Sequence, residues 1–67
     1  MIELDFDIPE LLKIELQDLD NMINTSSKNK YKILESFFIN FLVGRYDESL
    51  LTRVAISYIN YINKLEN

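Results

Sequence analysis

Ile2, Leu4, Phe6 and Ile8 alternate with Glu3, Asp5 and Asp7. This period of two fits a short strand or an extended arm, although a terminal segment of this length commonly frays. From there the period lengthens. Ile8, Leu11, Leu12, Leu16, Leu19, Met22 and Ile23 share one face when residues are set about 100° apart, which predicts a helix over about 8–24. Asp7 and Glu10 flanking Pro9 supply its start, since a carboxylate accepts orphan backbone N–H groups and a first-turn proline gives up no needed donor.

Residues 24–29 are polar and predict a loop, with Ser26 or Ser27 placed to cap the next helix. A second helix is expected over about 28–43, ended by Gly44 in a left-handed conformation, and Asp47 is placed to cap a third. That third helix covers about 48–65, with Leu50, Leu51, Val54, Ala55, Tyr58, Ile59, Tyr61, Ile62 and Leu65 on one broad face. Short loops between helices of this length favour antiparallel neighbours. The expected fold is all-α, a single helical domain over 1–67: a three-helix bundle, or a helical hairpin that dimerises through helices 2 and 3, with a short extended N-terminal arm.

Helix 2 departs from simple amphipathicity. Tyr31, Leu34, Phe37, Phe38, Phe41 and Leu42 form a wide apolar arc, and Ile33, Ile39 and Val43 carry it round most of the circumference. A helix apolar on all sides is buried on all sides, and two flanking helices cover only part of such a cylinder. The surplus predicts self-association through Phe37, Ile39, Asn40, Phe41 and Val43 with Tyr58, Ile59 and Ile62 of helix 3. Scattered exposed apolar side chains are the plainer explanation. Asn40 is placed like the single polar residue that sets register in helix assemblies, or simply faces water. Glu15 falls inside the apolar face of helix 1, where a carboxylate needs a partner such as Arg45, Arg53 or Lys32; a structural ion pair is the expected role. Tyr58 and Tyr61 suit an interface rim or plain core.

Composition narrows the classes. A chain of 67 residues without cysteine has no disulfide or thiolate metal site, and without histidine it lacks the commonest metal ligand and general base. The longest apolar run, 37–43, is interrupted by Asn40 and is far shorter than the roughly 18 residues of a membrane span. The acidic start is unlike a secretory signal, which makes a cytoplasmic location the default expectation. The net charge of −4 is uneven: residues 1–24 carry seven acids against Lys13, and residues 25–67 carry six bases against four acids. Glu10, Glu15, Asp18 and Asp20 thus form a candidate acidic face for a basic protein partner. Abundant Asn, Ile, Lys, Tyr and Phe with single Ala, Gly and Pro residues fit an AT-rich genome, such as that of a low-GC bacterium or its phages.

Nothing predicts an enzyme or a cofactor. The one glycine cannot make a phosphate loop, no nucleophile has a base beside it, and Asp5, Asp7 and Glu10 lack calcium-loop spacing. Helix 2, the turn and helix 3 outline a helix-turn-helix, but Asp47 and Glu48 stand where a recognition helix enters the groove, and the bases of helix 3 are only Arg53 and Lys64. The expectation is a small non-enzymatic regulator or inhibitor that binds a protein partner, analogous in size and class alone to antitoxins and immunity proteins. The alternatives are a DNA-binding regulator and a structural subunit of a larger assembly.

Overall fold

Pro9 decides where the first helix begins. A residue before proline is pushed out of the helical region, so Ile8 stays extended and α1 runs Glu10–Thr25. In the computed structural model, which describes residues 2–67, Pro9 takes the N-cap position, its carbonyl accepting the Lys13 N–H at 3.1 Å. The helix therefore starts two residues later than its apolar pattern suggested, and no side chain, Asp7 included, caps it.

Ser26 ends α1 in an extended conformation, and Lys30 reaches back to the Ile23 carbonyl at 2.6 Å and the Ser26 carbonyl at 3.2 Å. A cation at these orphan carbonyls also meets the negative end of the helix dipole. The Ser26 hydroxyl is used inside the loop, accepting the Lys28 N–H. Capping of α2 (Lys30–Phe37) falls instead to Asn29, whose side chain accepts from the amides of Tyr31 and Lys32, so α2 also begins two residues late.

The larger departure lies at the other end. Helix 2 is not one α-helix: α2 passes at Phe38 into a π-helical turn, Phe38–Leu42. Gly44 follows at φ 87°, and Asp47 then caps α3 (Glu48–Glu66) by accepting the Leu50 N–H at 3.3 Å, both as the sequence indicates.

Leu12, Leu16, Leu19 and Ile23 of α1 meet Leu34 and Phe37 of α2, Leu42 of the π-turn, and Leu51, Val54, Tyr58 and Ile62 of α3 in one core. The radius of gyration, 11.2 Å, stands beside about 10.9 Å for a compact chain of this length, so the three helices close into a bundle and not an open hairpin. Among the described residues there is no strand. Ile2, Leu4, Phe6 and Ile8 nevertheless pack against the core while Glu3, Asp5 and Asp7 face outward, so the period of two survives without a ladder. The Arg53 guanidinium lies 4.1 Å from the Phe6 ring centroid and holds it there.

Each of the four tyrosines ties two elements together. Tyr58 donates to Asp20 and Tyr61 to Asn24, both from α3 to α1; Tyr31 of α2 donates to Asn63 of α3; Tyr46, in the turn, donates to Glu15 of α1.

Candidate protein-interaction surface

In an α-helix Leu42 would lie about 140° round from Phe37 and could not share its buried face. The π-turn removes this conflict. The Val43 N–H closes on the Phe38 carbonyl at 2.8 Å, five residues back, and the wider turn brings Leu42 into the core below Phe37. The residues between are pushed outward: Ile39 is 64% exposed, Phe41 49% and Val43 62%, with Asn40 exposed on the same crest. This crest is the apolar surplus the sequence pointed to, and a π-turn is a form often found at functional sites.

Two clefts flank it. Toward α3, Phe38 and Val43 face Leu51, Thr52 and Ala55. Toward α1, Phe37 and Phe41, with ring centroids 5.0 Å apart, adjoin Met22, and Glu15, Asp18 and Asn21 complete the rim.

Glu15 locks the base of the crest. Its Oε2 accepts from Arg45 Nη1 at 2.8 Å, its Oε1 accepts the Tyr46 hydroxyl, and the same arginine nitrogen donates to the Phe41 carbonyl at 3.0 Å. The bond to Glu15, with partial burial behind it, raises the Tyr46 pKa above its ordinary value, and the nearby Arg45 charge opposes the shift. Glu15 thus has the structural ion pair expected of it.

Several expected surface residues are inside. Phe37, Tyr58 and Ile62 belong to the chain's own core and are not on the crest, although an edge of Phe37 lines the cleft toward α1. Ile39, Asn40, Phe41, Val43 and, on α3, Ile59 remain outside. Among the acids, Asp20 is only 6% exposed and accepts the Tyr58 hydroxyl at 2.7 Å, so it is a core group. Burial, then the Asp20 contact, drives the Tyr58 pKa strongly upward. The acidic face reduces to Asp18, on the cleft rim, and Glu10, which pairs with Lys13 at 3.2 Å.

Sequence reasoning missed a second exposed stripe. Leu11, Ile14 and Met22 run along the outside of α1, and Ile56 stands out on α3. Helical spacing held the signal for α1, because Leu11, Ile14, Asp18 and Met22 fall within about 80° of one another. The apolar pattern places Leu11 and Met22 on the buried face, but that face is narrower than the pattern allows. Among the described residues no cluster of acids could hold a metal ion, and no helix is long and apolar enough to cross a membrane. No family model, no curated protein and no solved structure matches the chain.

Proposed function

We propose that this chain is a non-enzymatic protein-interaction module, a small regulator or inhibitor, and that it self-associates through the π-turn crest. The observation that carries this is the exposure of Ile39, Phe41 and Val43 on one turn whose widening buries Leu42. Contiguous apolar surface of this kind is characteristic of interaction sites. Ile59 adds apolar surface on the exposed side of α3. A DNA-binding reading gains nothing from the fold: Asp47 and Glu48 open α3, and Arg53 is engaged with Phe6.

Light scattering at micromolar concentration tests the proposal, with the expected mass twice that of one chain. Ile39→Glu, a surface change worth within about 0.5 kcal/mol to the fold, should return the mass to that of a monomer. A monomeric wild-type chain, or a dimer indifferent to Ile39→Glu, overturns self-association through the crest.

A further inference from the structure

The cleft between α1 and the π-turn adjoins the crest and shares Phe41 with it, but Ile39 and Val43 lie outside it, and its chemistry is more selective. Its floor is Met22, Phe37 and Phe41, and its ionisable rim residues are Glu15 and Asp18. Glu15 is neutralised by Arg45. Asp18 has no ion-pair partner among the described residues. The floor continues along α1 as the exposed stripe of Ile14 and Leu11, straight over about 16 Å of helix. The outward half of α1 therefore presents Asp18 and, nearer its start, Glu10, while the one base of the helix, Lys13, projects about 140° away from Asp18 and pairs with Glu10.

A straight apolar track with the unneutralised carboxylate of Asp18 at its edge has a specific complement. We infer that this cleft receives an amphipathic helix of a partner protein, its apolar stripe on Met22 and Phe41 and its flanking Lys or Arg side chains toward Asp18. The inference rests on the reading of the chain as an interaction module but not on self-association. Charge complementarity favours this occupant over a second copy, whose own helices are engaged in the bundle, and over an acidic helix, which Asp18 and Glu10 would repel. The aromatic pair at the floor provides the kind of anchor pocket that concentrates binding energy.

Two labelled helical peptides of about 14 residues, about 21 Å long, test this by fluorescence anisotropy: one of Leu and Lys, the other of Leu and Glu with the same apolar spacing. The Leu/Lys peptide should bind, weaken as salt rises, and perturb the amide resonances of Ile14, Asp18, Met22 and Phe41. Met22→Lys and Asp18→Lys, both at exposed positions, should each lower the affinity at least about tenfold with helicity retained. Ile39→Glu, outside the cleft, should not lower it, so loss of self-association and loss of the cleft are read separately. Equal binding of the Leu/Glu peptide, resonance changes elsewhere, no binding, or indifference to both α1 variants overturns the inference.

Discussion

The Tyr58 hydroxyl donates to Asp20 Oδ1 at 2.7 Å across the centre of the bundle, joining residues 38 positions apart in the chain. Tyr58 is fully buried and Asp20 nearly so. Withdrawing a donor from a buried carboxyl group costs about 1–3 kcal/mol. Tyr58→Phe should lower the unfolding free energy by that amount in urea titration. Tyr61→Phe removes an exposed bond to Asn24 and should stay within about 0.5 kcal/mol. Equal losses in the two variants would show that burial is not what makes the Asp20 contact count.

Stability should also fall at alkaline pH. Burial and the Asp20 contact hold the proton on Tyr58 well beyond 10.0, the ordinary tyrosine value, and Tyr46 shifts the same way through Glu15. Above about pH 10 the unfolded chain loses these protons while the native chain keeps them, so the native state binds more protons and stability declines as pH rises. Below that pH the two groups contribute no slope. Urea midpoints measured from about pH 9 to about pH 11 should drop more steeply for the wild type than for Tyr58→Phe. Parallel slopes would contradict the assignment.

Deleting Asn40 should be tolerated. The π-turn is an α-helix with one residue too many, and Asn40 is exposed on it. Its removal converts the closure from Phe38 to Val43 into an ordinary four-residue one, with Leu42 still below Phe37 and everything after it in place. The shortened chain should keep its helical circular dichroism and thermal midpoint, yet lose part of the crest and associate more weakly. Unfolding on deletion would mean the wide turn is required by the fold itself.

Gly44→Ala isolates backbone strain from packing. Gly44 sits at φ 87°, and a Cβ built there meets no atom within 4 Å. The whole cost is the left-handed conformation, about 1–2 kcal/mol. Gly44→Asn, better suited to that region, should lose less in thermal denaturation. The same loss for both would point to a contact not present in this structure.

Local chemistry was legible where a residue acts on its own neighbourhood. Asp47 caps α3, Gly44 takes positive φ, and Glu15 finds Arg45, each following from a rule of short range or of unpaired charge. The start of α1 was misplaced, because the capping pattern of Asp7 pointed to residue 8 while the restriction Pro9 places on Ile8 delays the helix to Glu10. The π-turn was not legible. Phe37, Phe38, Phe41 and Leu42 fit an α-helical arc equally well, and the extra residue shows only when Phe37 and Leu42 are both required to be buried. The displaced acids have the same origin: that Asp20 points at Tyr58, and Asp18 at a cleft, depends on the rotation of α1 against a helix that sequence periodicity cannot orient.

Three helices joined by short loops can be wound in either of two senses, and apolar stripes of the same width pack nearly as well in one as in the other. The phenols distinguish them. Tyr58 and Tyr61 of α3 must reach Asp20 and Asn24 on one flank of α1, Tyr46 must reach Glu15 on the other, about 140–180° round the helix, and Tyr31 reaches Asn63 from the second helix. The reversed winding carries α3 to the opposite flank of α1, separates both of its pairs with α1 at once, and strands Asp20 and Tyr58 in an oily interior. Oily side chains make this chain collapse; its tyrosines choose the hand.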